Sequence, residues 1–283
     1  MIAASGIFVT SYLVRLHSPY RPSPGSHATQ SCTEKMADRS KAVLIGISGP
    51  SSSGKTTLAR LLRDIFPNVF ILHEDDFYKA DAEIPVNPEG LADWDCLESI
   101  DLPALRSALE YIREHGTSPP DLASKEDKNS VGKVNVDKAE IEDLHWKASK
   151  WMFQDLPPVA IIDGFLLFSE EMRDIRDIFD VKLFLRTDYQ TAKARREARS
   201  GYVTLEGFWE DPPGYVDKVV WPNYVKDHSF MFKDGNVEGE LDQGKLEQLS
   251  ISAMPDKAQG NMTACAHWAF QIIEQALEKR LAR

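Results

Sequence analysis

The sequence is short of cysteine, of long apolar runs and of net positive charge. Cys32, Cys96 and Cys265 are the only thiols in 283 residues and stand far apart. An odd number without a C-x-x-C pair makes neither a disulfide framework nor a zinc site, so reduced thiols in a reducing compartment are expected. No stretch reaches the roughly 18 to 20 apolar residues that span a bilayer. The longest candidate, Val159 to Phe168, is interrupted by Asp163. Lys and Arg number 33 against 44 Asp and Glu, a formal charge of −11. That argues against a nucleic-acid binder, whose surface must neutralise phosphates. It suits a small-molecule enzyme whose anionic ligand arrives with a metal ion. There is no N-K-x-D motif for reading guanine and no internal repeat.

Acidic residues are also missing before Glu34, while Met1 to Val14 is mostly apolar and Arg15 and Arg21 follow it. A secretory signal puts its positive charge before the apolar run. Residues 1–40 therefore read as an extension, disordered or targeting to mitochondria, with Met36 as an alternative start. Residues 41–283 read as one domain, since 42% apolar and 27% charged residues are the proportions of a globular protein.

What is present alternates strands with helices. Ala42 to Ser48 is a continuous apolar run and reads as a strand buried on both faces. Leu58, Leu61, Leu62 and Ile65 give Lys55 to Phe66 a helical period. Val69 to Leu72, Val159 to Ile162 and Val181 to Leu185 read as further strands, and Ser229 to Phe232 as a fifth. Helices are expected over Cys96 to Glu114, Asp188 to Arg199 and Met262 to Leu281. The polar stretch 115–141 reads as an insertion. The pattern predicts an α/β fold, a parallel sheet with helices on both faces.

The clearest chemical signal is Gly49-Pro50-Ser51-Ser52-Ser53-Gly54-Lys55-Thr56, a full G-x-x-x-x-G-K-[ST] match between a strand and a helix. Glycines let backbone N–H groups face phosphate oxygens, and the helix N-terminus adds its dipole. Lys55 is expected on the β- and γ-phosphates and Thr56 on Mg²⁺. Asp163, leaving a buried strand, suits a metal contact. Asp75 and Asp76, just beyond the second strand, fall at the same sheet edge and can accept the proton of an attacking hydroxyl or touch the metal. Arg195, Arg196 and Arg199 lie three and four apart on a helix before the Gly/Pro-rich segment 201–214. They suit an arginine-bearing lid, about 188–215, that clamps phosphate and excludes water.

These segments, I-G-I-S-G-P-S-S-S-G-K-T-T-L-A, E-D-D-F-Y, W-D, I-I-D-G-F-L-L-F, R-R-E-A-R-S-G-Y and D-P-P-G-Y with a following W-P-N-Y, together resemble the nicotinamide riboside kinases. The resemblance is to a fungal-type member of these P-loop kinases. It runs from about Ala42 to Asp234, with the region from His115 to Pro157 enlarged. It implies that Gly49 to Thr57 hold ATP with Arg195 and Arg199, and that Thr56, Asp75 and Asp163 serve Mg²⁺. It implies Asp75 as general base, aided by Lys55 and Arg199. Asp76, Phe77, Tyr78, Trp94, Asp95, Arg196, Tyr202 and Val203 would form the riboside site, with Trp94 and Tyr202 stacking on the pyridinium and Asp95 bonding the ribose.

Three positions depart from the family pattern. Trp94 stands where the family has Tyr, Asp163 where it has Glu, and Ser200-Gly201 adds a residue before Tyr202. The implied reaction yields nicotinamide mononucleotide, a step of NAD salvage. The implied protein is a monomer in the cytoplasm or nucleus, acting on small molecules and contacting neither nucleic acid nor membrane. The rival readings are a uridine/cytidine kinase-like enzyme, another small-metabolite kinase and a nucleotide-binding switch.

Overall fold

The computed structural model describes residues 41–124, 134–154, 156–199, 201–203 and 207–282. The side chains of Phe153, Tyr202 and Val203 lie outside that description, as does the whole extension 1–40. Five strands form one parallel sheet, β1 (Val43–Ser48), β2 (Val69–His73), β3 (Val159–Gly164), β4 (Val181–Phe184) and, last in chain order, β7 (Ser252–Ala253). Their spatial order is β2-β3-β1-β4-β7. Every residue of β1 and β3 is buried, as an unbroken apolar run requires when helices cover both faces.

Alternation along the strands sorts the core into two layers. Leu44, Ile162 and Phe184 point to one side, where α2 (Leu102–His115) and α5 (Trp221–His228) cover them. Val43, Ile45, Ile47 and Ile161 point to the other, under α1 (Lys55–Ile65), α3 (Lys138–Ala148) and α7 (Met262–Leu281). Gly46 is small because Phe168 and Phe179 already occupy the space a Cβ would need.

Four features differ from the sequence pattern. The helix expected from Cys96 starts at Leu102, because Asp101 caps it by accepting from the Ala104 N–H and Pro103 fits only the first turn. Helix α3 begins inside the stretch read as a loop, capped by Asp137. It is tied to α7 by His267–Glu140 at 2.8 Å and by Asp137 N–H donating to Thr263 Oγ1 at 2.9 Å. Ser229–Met231 is a 3₁₀ turn, not a strand. The fifth strand is β7, too short for any alternation to show.

The lid segment has its own small core. Helix α4 (Tyr189–Glu197), capped by Asp188, leads to an antiparallel pair, β5 (Tyr202–Val203) and β6 (Phe208–Trp209). A π-helical turn at Val216–Val220 then runs into α5, with Tyr215, Val216, Val219 and Val220 buried against Leu91, Tyr189 and Trp209. A further helix, α6 (Gln243–Leu249), precedes β7.

Candidate active site

Strands β1, β2 and β3 end at one edge of the sheet, and each delivers a chemical group there. After β1 the chain turns through Gly49, whose φ of 145° and contact with the Leu185 carbonyl leave no room for a Cβ. Gly54 at φ 101° makes the second turn and opens α1. Ser52 holds φ 64° without being glycine, a strained position within the loop. The Ser52 and Ser53 hydroxyls are buried without a hydrogen-bond partner among the described residues. They are donors suited to phosphate oxygens.

Lys55 folds back to donate to the carbonyls of Gly49 and Pro50, both at 3.0 Å. Burial lowers its proton affinity, and Asp75, Asp163 and Glu74 pull the other way. Asp75 therefore lies within electrostatic reach of Lys55. Arg199 also acts on Lys55, lowering its proton affinity.

Thr56 Oγ1 donates to Asp163 Oδ2 at 2.6 Å, and His73 Nδ1 meets the other carboxylate oxygen. Burial works against ionising Asp163, but His73, Thr56 and Lys55 outweigh it and hold the carboxyl below its usual range. Glu74, fully buried, accepts from the Leu166 N–H at 3.1 Å and is pushed up to about 7 by burial. Its carboxylate fills the space beside Gly164, which explains that glycine. The oxygens of Thr56 and Asp163, with Asp75 nearby, are the hard donors Mg²⁺ takes. Among the described residues no group of three or more His, Cys, Asp or Glu forms a metal cage. Mg²⁺ binds through one or two protein oxygens plus phosphate and water, so this set fits it.

Two arginines of α4 reach different partners. Arg195 Nη1 donates to the Ser52 carbonyl at 3.3 Å, on the phosphate loop. Arg196 is buried and forms a two-pronged pair with Asp95, Nη1–Oδ1 at 2.9 Å and Nη2–Oδ2 at 3.1 Å. It also donates to Ser51 Oγ at 2.9 Å and to Asp211 at 2.6 and 3.1 Å. Burial raises the Asp95 carboxyl above its usual range while Arg196 opposes the rise.

Trp94 is buried at the wall of this site. Tyr78 meets it edge-on at 5.4 Å, and Trp209 of the lid lies tilted against it at 5.6 Å. Tyr78 sits between acidic groups, its phenol pushed well up by burial, then by Asp75 and Asp95. Phe77 belongs to the hydrophobic core beside Leu72 and Ile100, so its side chain packs rather than lines the site. Asp76 lies on the same 3₁₀ turn as Asp75. Tyr202 and Val203 are placed only as backbone of β5, and the expected Tyr202 stacking lies outside the described residues. Sequence reasoning missed Trp209, Asp211, Tyr215 and His73. Asp211 and Tyr215 stand in the quoted D-P-P-G-Y segment and Trp209 two residues before it, a run that would have pointed to all three.

A phosphate loop on a parallel sheet, faced by carboxylates and an arginine lid, defines a P-loop phosphotransferase. No family model matches the chain. The chain is 43% identical over 239 residues to a nicotinamide riboside kinase of Schizosaccharomyces pombe, covering 84% of this chain and 99% of that protein. The Saccharomyces cerevisiae nicotinamide riboside kinase is 36% identical over 74% of this chain and 87% of its own length. Human nicotinamide riboside kinase 1 is 33% identical over 66% of this chain and 76% of its own. The chain belongs to the nicotinamide riboside kinase family.

Proposed function

We propose that this protein transfers the γ-phosphoryl group of ATP to the 5′-hydroxyl of nicotinamide riboside, giving nicotinamide mononucleotide for NAD salvage. The observation that carries the reading is the junction of Arg196 with Asp95 and Ser51. It ties Asp95, which the family resemblance makes the ribose partner, to the phosphate loop, in a chain 43% identical to a riboside kinase. Trp94, Tyr78 and Trp209 supply aromatic faces for a flat cation, and a pyridinium gains more from such faces than a neutral base does.

In this mechanism Gly49 to Thr57, Arg195 and Arg199 hold the nucleotide. Thr56, Asp163 and Asp75 would hold Mg²⁺, which neutralises charge on the β- and γ-phosphates when bound. Asp75 takes the proton of the 5′-hydroxyl as its oxygen attacks phosphorus in line, and the bond to the β-phosphate oxygen breaks. Lys55 and Arg199 balance the charge that develops. Arg196 and Asp95 fix the ribose, and the lid excludes water that would otherwise take the phosphoryl group. The domain is taken as 41–283, with the lid about 188–215. The protein is taken to act as a monomer in the cytoplasm or nucleus, on its acidic composition and on the two buried free thiols Cys96 and Cys265. No described helix is long and apolar enough to cross a membrane.

The reading is tested by Asp75→Asn in an ATP-coupled assay with the riboside. A fall of about a hundredfold or more in kcat is expected on losing the base. Activity near wild type would remove Asp75 from the mechanism.

A further inference from the structure

Tyr215 leads from the Gly/Pro-rich lid segment into the π-helical turn, and nothing in the reaction above uses it. It is 1% exposed. Its hydroxyl reaches the loop that carries Trp94 and Asp95, more than a hundred residues away in sequence. There it accepts from the Trp94 N–H at 3.0 Å and donates to the Ala92 carbonyl at 2.9 Å. A phenol has one proton and spare lone pairs, so a single oxygen serves both backbone groups. The ring meets Trp209 edge-on at 5.8 Å and has the Arg196 guanidinium 5.5 Å from its centre.

A second clamp acts on the same loop. Asn223, near the start of α5, donates through Nδ2 to both Asp93 carboxylate oxygens, at 2.8 and 3.0 Å. Asp93 Oδ1 in turn accepts from the Asp95 N–H at 3.1 Å. Both clamps come from the chain that follows the lid, whereas Arg196, which precedes it, holds the Asp95 carboxylate. The run Ala92 to Asp95 is thus pinned by its backbone from one side of the lid and by a side chain from the other. Without the Tyr215 hydroxyl, the Trp94 N–H and the Ala92 carbonyl lose a partner inside the protein, and the loop must shift to regain one. The Trp94 ring and the Asp95 carboxylate move with that backbone, and small displacements of a binding group are costly. We propose that Tyr215, with Asn223 beside it, is a positioning residue of the acceptor site, setting where Trp94 and Asp95 meet the substrate. The proposal rests on the riboside-kinase reading of the site and adds the residues that hold its acceptor loop.

The test is steady-state kinetics of Tyr215→Phe and Asn223→Ala, with ATP and nicotinamide riboside varied in turn and the melting temperature of each variant measured. Phe deletes one oxygen and keeps the ring against Trp209 and Arg196. KM for the riboside is expected to rise about tenfold in Tyr215→Phe, the scale of a buried hydrogen bond or two. KM for ATP and kcat should stay within about threefold of wild type, as when binding alone is lost. Asn223→Ala should shift the same constant in the same direction, and it decides the matter alone if Tyr215→Phe does not fold. A merely structural role would lower the melting temperature and the active fraction, and so kcat, while leaving both KM values in place. That result would overturn the proposal, as would an equal rise in both KM values. A wild type that phosphorylates another nucleoside but not nicotinamide riboside overturns the functional reading instead. The same split between acceptor and ATP, measured on that nucleoside, then decides the role of Tyr215.

Discussion

Arg196 and Asp95 are 101 residues apart in sequence and meet through two hydrogen bonds of 2.9 and 3.1 Å, with side chains 7% and 5% exposed. Arg196 is on α4 and Asp95 in the loop before α2, so in the proposed mechanism the pair ties the lid to the riboside site. A buried charge that loses its partner is costly, whereas losing both charges is less so. Asp95→Asn and Arg196→Gln should each raise KM for the riboside by tenfold or more. The double variant should be little worse than either alone, with a coupling close to the single-variant loss, about 1.4 kcal/mol for a tenfold effect. Losses that simply add would show that the two side chains act separately.

The aromatic wall predicts a split between substrates. Trp94→Ala and Trp209→Ala should raise KM for the riboside by about tenfold while changing KM for ATP less than about twofold, since the proposed function assigns these rings to the cation and not to the nucleotide. Equal effects on both substrates would point to loss of the lid core around Tyr215 instead.

Asp163 is tied to both Thr56 and His73. Asp163→Asn removes the charge and keeps the shape. The Mg²⁺ concentration needed for half-maximal rate should rise by about tenfold or more, with ATP binding by the loop largely retained. A Mg²⁺ titration in the kinase assay reads this directly. An unchanged titration would place the metal elsewhere.

His228 also predicts how the fold responds to acid. The folded protein holds it at about 3 against an ordinary 6.5, so the folded state binds fewer protons than the unfolded chain between those values. Its neutral burial therefore contributes stability in full above pH 6.5, and that contribution is lost as pH falls toward 3. The ceiling is about 5 kcal/mol at about 1.4 kcal/mol per pH unit. Asp227, pushed up to about 6 by burial, works in the opposite direction but is common to wild type and variant. His228→Phe should thus shift acid unfolding, followed by circular dichroism, to lower pH. An unfolding midpoint that does not move would show that the imidazole is protonated in the fold.

The phosphate loop was legible because its parts are contiguous: buried strand, glycine turn, lysine and helix all fall within Val43 to Ile65. The placement of Asp75 and Asp163 at one edge of the sheet was legible because Asp163 closes the apolar run of β3 and Asp75 comes just beyond β2. The junction at Arg196 was not legible from spacing, since Ser51, Asp95 and Asp211 reach it from three separate segments. Helix α3 was hidden because only Leu144 and Ala148 on it are buried, while Trp146 stands 74% exposed. That pattern looks polar and irregular along the chain. Ser229 to Phe232 misled for the opposite reason. Its Phe230-Met231-Phe232 run is apolar because it closes the core over β4 as a 3₁₀ turn, with Phe232 against Phe184.

The measurement closest to the central claim is a coupled assay of the purified protein with ATP and matched ribosides, some carrying the pyridinium charge and others, including uridine and cytidine, neutral. The account predicts nicotinamide mononucleotide as product and a kcat/KM for the cationic riboside at least about tenfold above the neutral nucleosides. Equal or better turnover of uridine or cytidine would contradict it.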